Sequence, residues 1–174
     1  ALLLASTFSV LLLMGNEIYR VAPPLPDRVV STSGETIYTL DDLETGRQVW
    51  QSIGGMQVGS IWGHGALIAP DWSADWLHRE AEGLLTLWSQ QTYAMDYAML
   101  PLAQQLALQA RVQEELRPNR YDAASKTLTV SDDRATVIKG LITHYESLFS
   151  DDPATAALRE TYAMKDGSVG HTSR

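Results

Sequence analysis

The stretch Gly46–Ala81, GRQVWQSIGGMQVGSIWGHGALIAPDWSADWLHREA, decides how the rest of the chain reads. It holds Trp62, Trp72 and Trp76, and two of the four histidines, His64 and His78. Glycines stand at 54, 55, 59, 63 and 65. The run is too irregular for one helix or strand, and too rich in large aromatics for a loose linker. Each buried indole brings a large apolar area and one N–H that needs an acceptor. Repeated glycines let backbone pass close to another body or take φ > 0. The segment reads as a rigid loop shaped to hold or touch something specific.

Outward from this loop the pattern is helical. Thr39-Leu40-Asp41-Asp42 opens a helix, with Thr39 as cap and Asp42 at the capping-box position. Leu43, Val49, Trp50 and Ile53 make its apolar side, and Gly54-Gly55 ends it. On the other flank Pro70-Asp71-Trp72-Ser73 starts a second helix, capped by Asp71 or Ser73. Trp76, Leu77, Leu84, Leu85, Leu87 and Trp88 continue it, and Pro101 predicts a break near Met99-Leu100. A third helix spans 102–116. Residues 126–130 alternate as a short strand. Ser131 then caps a helix with Asp132 and Asp133 in its first turn, where carboxylates offset the macrodipole. Its core face is Val137, Ile138, Leu141, Ile142, Tyr145, Leu148 and Phe149. A short helix follows Asp152-Pro153. Residues 29–38 read as a small hairpin turning at Ser33-Gly34. The expected fold is mainly α with small β elements.

Residues 1–15 carry no charge and are dominated by leucine. They reach roughly 22 Å as a helix, short of the ~30 Å hydrocarbon core. A signal peptide would show a basic n-region and a small-x-small cleavage site, and neither is present. The reading is the outer end of a transmembrane helix, with Tyr19 and Arg20 at the interface. Pro23, Pro24 and Pro26 then force an extended, stiff exit. The expected organisation is the helix end at 1–19, the proline exit at 20–28, a folded domain at 29–163 and a loose tail at 164–174 leading to a next membrane span.

The 174 residues suffice for one domain with a real core. A net charge of −8 and the lack of any basic block argue against a nucleic-acid partner. Cysteine is absent, which excludes disulfides, thiolate metal sites and thioether-linked haem.

Three chemistries compete with plainer structural roles. His64, Asp71, Asp75 and His78 offer metal-ligand atoms, but their spacing matches no HExxH-type pattern. Asp71 and Asp75 already serve as helix cap and first-turn anion. His78 reads as a hydrogen-bonded packing residue. Gly54 and Gly59 have P-loop glycine spacing, yet Ser60 stands where lysine is required. Ser60 and Ser73 lack a G-x-S-x-G elbow. No catalytic residue, metal ligand or cofactor ligand is assigned in this chain.

At these residues the chain resembles the N-terminal extracytoplasmic domain of quinol-dependent nitric oxide reductases. The resemblance rests on Asn16-Glu17-Ile18-Tyr19, Pro23-Pro24-Leu25-Pro26, GRQVWQ, GSIWGHGALIAPDWSADWLHREA, ELRPNRYD, TLTVSDDRA and ETYAM. In the two-subunit, cytochrome-c-dependent relatives a similar stretch carries a C-x-x-C-H haem motif. It follows a G-x-x-V-W helix and precedes a G-E-G-A-Y-x-A-P run. Laid on this chain, the motif falls on 55–59. Gly55 and Val58 replace the cysteines, and Gly59 replaces the axial histidine. The run falls on 63–70, where the relatives hold a calcium near backbone carbonyls that match Gly65 and Leu67.

The resemblance implies a cytochrome-c-like helical domain lacking haem, with Met56, Trp62 and Trp72 filling the vacated space. It implies no cofactor in this chain. Haem b, haem b3 and non-haem iron are expected in a catalytic transmembrane bundle of the same polypeptide, where two NO become N2O and water. The domain would lie on the periplasmic side of the bacterial cytoplasmic membrane, shield that bundle, and stand near quinol at the domain–membrane interface. Trp62, Gly63, His64, Gly65, Leu67, Asp71, Trp72, Asp75, Trp76 and His78 are the expected interface or loop-fixing residues. Two other readings stay open at this point: a stand-alone membrane-anchored binding or assembly module, and a small metal-dependent hydrolase.

Overall fold

The computed structural model describes residues 2–21, 23–52, 55, 59–61, 70–162 and 164. Helix α1, Leu2–Val21, exposes leucines along its length, Leu3 at 80% and Leu12 at 72% among them. Glu17 and Arg20 pair near its end at 2.6 Å. No described helix is long and apolar enough to cross a membrane.

Strands β1, Arg28–Ser31, and β2, Thr36–Thr39, form the expected hairpin around Gly34. Helix α2, Leu40–Ser52, begins as its sequence dictates. The Asp42 carboxylate accepts the Thr39 N–H at 2.8 Å and its hydroxyl at 2.7 Å. These bonds hold the Asp42 carboxyl below its ordinary value. Leu43, expected on the apolar side of α2, is instead exposed, since α2 buries no residue fully.

Helix α3, Trp72–Tyr93, is the axis of the domain. It ends earlier than Pro101 alone would require. Ala94 caps it in the left-handed region (φ 50°), and the Ser89 hydroxyl donates to the Met95 carbonyl beyond the turn. A 3₁₀ turn at Tyr97–Met99 follows. Leu100, held extended (ψ 147°) before proline, then redirects the chain into α4, Leu102–Leu116. The break lies at Ala94 because α4 folds back along α3 and needs a turn long enough to reverse direction.

The two-residue strand β3, Tyr121–Asp122, pairs antiparallel with β4, Thr127–Val130; no alternating pattern in the sequence announces it. Strand β4 also pairs in parallel with β1, giving the sheet order β2-β1-β4-β3. Ser131 caps α5, Asp132–Leu148, as expected. The two acids of its first turn do more than offset a dipole. Asp132 accepts from the Thr32 hydroxyl and the Ser33 N–H at 2.9 and 3.0 Å. Asp133 accepts the Trp88 indole N–H at 2.7 Å. A 3₁₀ turn at Pro153–Thr155 leads into α6, Ala156–Thr161.

Three apolar clusters line α3. Trp72 meets Leu148 and Met164, Trp76 reaches the sheet cluster of Val29, Val130, Ala135 and Ile138, and Leu84 and Trp88 pack on Leu100, Leu108 and Val112. Gly83 lets α5 approach: a Cβ there would sit 2.6 Å from Val137 Cγ1. The Arg111 guanidinium stacks 3.9 Å over the Trp88 ring and bonds Asp133, so one indole joins α3, α4 and α5.

Glu80, 1% exposed, pairs with Arg134 Nε at 2.5 Å between α3 and α5. Burial, and then this carboxylate, push the nearby Tyr38 phenol up. Removing one partner of a buried pair strands the other charge, whereas replacing both with apolar residues does not. Glu80→Ala is expected to destabilise by about 3 kcal/mol, and Glu80→Leu with Arg134→Met to recover most of it. Urea unfolding of the complete protein, followed by far-ultraviolet circular dichroism, checks both.

Candidate functional site: an aromatic cluster at a glycine-lined loop neck

The glycine- and tryptophan-rich loop is fixed at its neck. Ser60 and Asp71 form a parallel bridge: the Ser60 N–H donates to the Pro70 carbonyl at 2.9 Å, and the Trp72 N–H to the Ser60 carbonyl at 2.8 Å. The Ser60 hydroxyl donates to Asp71 Oδ2 at 2.7 Å, and Asp71 Oδ1 accepts the Ala74 N–H at 2.9 Å. One carboxylate thus closes the loop and caps α3. Val58, Trp62, Gly63, His64, Gly65 and Leu67 lie outside the described residues, as does Met56.

Below the neck sits Trp72, 8% exposed. Its ring meets Phe149, Tyr162 and Tyr145 edge-on, with centroids 5.1, 5.4 and 6.3 Å away. Trp50 meets Phe149 edge-on at 5.9 Å, and Trp76 stacks on Tyr145 at 5.5 Å and 10°. Met164 closes the cluster from the C-terminal side. Each edge-to-face pair adds roughly 0.5–1.5 kcal/mol beyond area burial.

A polar latch borders the rings. Asp75 Oδ2 accepts the Tyr145 hydroxyl at 2.7 Å and Arg79 Nε at 2.8 Å, and Oδ1 accepts the Tyr162 hydroxyl at 3.2 Å. The Arg79 guanidinium also reaches the Tyr162 oxygen at 3.3 Å. Burial pushes the Asp75 carboxyl up, but the bonds from Arg79 and Tyr145 outweigh it and leave the group below its ordinary value. Tyr145 is driven well up, first by burial and then by its bond to Asp75. His144, beside Tyr145, is lowered by burial and by the Arg79 charge.

The structure thus gathers Asp71, Trp72, Asp75 and Trp76 at one place. It sends His78 elsewhere. That side chain is 70% exposed and pairs with Glu82 at 3.3 Å, so it is a surface group and not a packing residue. The i, i+3 spacing to Asp75 places both on one turn, but Asp75 turns inward to Tyr145. Among the described residues no three ligand-bearing side chains converge as a metal site. Sequence reasoning missed Arg79 and Tyr162 as partners of Asp75. The first was legible as an i, i+4 pair; the second lies 87 residues away.

Cytochrome-c-type attachment needs two thiols and an axial imidazole. The described residues do not fit that group. A Cβ on Gly55 would fall inside the Trp50 ring, and a Cβ on Gly59 would fall inside the Trp72 ring at Nε1. Neither indole N–H meets an acceptor among the described residues. The chain contains no cysteine. The two positions that the resemblance matches to a cysteine and the axial histidine are therefore backed by tryptophans that leave no room for a side chain.

Among curated proteins, none matches the chain. A family model does. The neck, the aromatic cluster and the sheet all fall within residues 26–174, which match the model of the cytochrome c-like domain of the nitric oxide reductase NorB protein, and the chain belongs to that family.

Proposed function

We propose that this domain is the haem-free, non-redox extracytoplasmic cap of a quinol-dependent nitric oxide reductase. It docks on the transmembrane haem bundle of the same polypeptide and shields it from water. In this reading NO reduction takes place wholly in that bundle, and this chain supplies no catalytic group. The observation that carries the proposal is the placement of Trp50 and Trp72 against Gly55 and Gly59. A cytochrome-like shell without its porphyrin would lose packing over a large volume. Here the indoles, with Tyr145, Phe149, Tyr162 and Met164, form a continuous aromatic plug.

Restoring the attachment residues alone would not restore the group, because the new side chains at 55 and 59 each meet an indole. In the complete protein, Gly55→Cys, Val58→Cys and Gly59→His together, produced with the cytochrome c maturation machinery, are expected to give no covalent haem band on a peroxidase-stained denaturing gel. A stained band at full length would overturn the haem-free reading.

A plug supports the shell without touching NO. Trp72→Ala is expected to cost roughly 3–5 kcal/mol of stability, read as a lowered melting temperature in detergent, with the KM for NO unchanged. A changed KM at an unchanged melting temperature would contradict the assignment.

The latch gives the plug a pH dependence with a definite sign. The folded-state pKa of Asp75 is depressed, so its contribution is complete above the unfolded value of about 3.9 and is lost as pH falls through the lower folded value. His144 is also depressed, so its contribution is present above about 6.5 and is lost on acidification through its folded value. Both act in the same direction, and stability declines toward acid. His144→Gln should flatten the decline just below neutrality and Asp75→Asn the decline below about pH 4, as followed by melting temperature against pH.

A further inference from the structure

Residues 92–110 read TYAMDYAMLPLAQQLALQA and carry one formal charge, Asp96, in a chain with 21 acidic and 13 basic residues. The structure divides the apolar side chains of this stretch between two faces. Leu100, Leu108 and, just beyond, Val112 turn into the core. Met95, Met99, Leu102 and Leu106 stand out at 44, 73, 69 and 53% exposure. Leu102 and Leu106 lie one turn apart on α4, with Ala103, Ala107 and Ala110 exposed beside them. The four large side chains present on the order of 400 Å² of apolar surface, the size at which a patch on a soluble domain is usually functional.

We infer that this face is where a second copy of the chain docks. Charge decides between occupants. Two copies of a chain with net charge −8 repel over most of their surfaces. The face around α4 is uncharged, so copies can meet there without opposing like charges. A basic partner would be met by acidic surface, which the chain has in excess. A lipid surface is met by segments with basic residues and by tryptophan or tyrosine at the rim. This stretch has no Lys, Arg, Trp or Phe, and its Tyr93 and Tyr97 pack against the core.

The pattern also suits a two-fold contact, in which one patch must complement itself. Across such an axis, Leu102 and Leu106 of one α4 face the alanine steps of the other, ridge into groove. The exposed amides of Gln90, Gln109 and Gln113 supply a neutral rim. Alanines and rim together bring the patch toward the roughly 800 Å² per partner of a standard interface. The surface begins beyond the C-terminal end of α3, while Trp72 lies at its first residue, so the length of that helix, roughly 33 Å, separates it from the aromatic plug.

The test uses the complete membrane-inserted protein, with any cysteines elsewhere changed to serine; this chain contributes none. Ala107→Cys should form a disulfide-linked dimer on copper-phenanthroline oxidation, and Thr143→Cys, on the exposed side of α5, should not. Leu102→Glu with Leu106→Glu should weaken self-association more than tenfold by mass photometry, with the melting temperature unchanged because both residues are exposed. Equal cross-linking at Thr143→Cys, no cross-linking at Ala107→Cys, or an unchanged mass distribution in the double variant would overturn the inference. So would quenching of a bimane label at Ala107→Cys by lipid-borne quenchers, which would place the face in the membrane.

Discussion

The seating of Trp72 at the first residue of α3 is the constraint on which the domain turns. Its backbone N–H closes the loop neck through Ser60, its ring organises Tyr145, Phe149 and Tyr162, and its Nε1 edge occupies the space beside Gly59. Helix α3 then carries this fixed point along the domain. Trp76 binds the sheet cluster and Trp88 joins α4 and α5. Loop, sheet and helical hairpin therefore share one rigid axis, and a change at either end is felt through the packing between them.

Much of this was legible because it is local. The Thr39–Asp42 box, the Asp71 cap and the Ser131 cap depend on residues three apart, and the structure forms all of them. What was illegible is long-range. Nothing near Asp75 announces Tyr162, and nothing near Val29 announces its parallel partner Leu128. Proline at 101 is a strong local signal for the end of α3, whereas the left-handed turn at Ala94 that ends it is imposed by the packing of α4. Leu43 and His78 fit helical spacing but face outward, since spacing defines a face and only tertiary contact says what covers it. The resemblance supplied what composition could not: the positions at which glycine stands where relatives place reactive side chains.

Those glycines change meaning once the rings behind them are seen. A glycine in a loop is ordinarily read as freedom for the backbone. At 55 and 59 it is room yielded to an indole. The polar latch works toward the same end. Asp75 draws two phenols and a guanidinium to one carboxylate, and so holds α3, α5 and the residue after α6 together around the rings.

The place of β1 has a mechanical side. The polypeptide leaving the proline exit enters the sheet not at an edge but between β2 and β4, bonded to both. Asp27 adds a bond to Lys126 and another to Leu40 where the strand begins. A pull along the stalk would load two ladders in shear, so that many bonds must yield at once instead of unzipping singly. The attachment is thus stiff where the chain enters the domain, and motion of the stalk is transmitted to the body of the domain instead of being absorbed at a hinge.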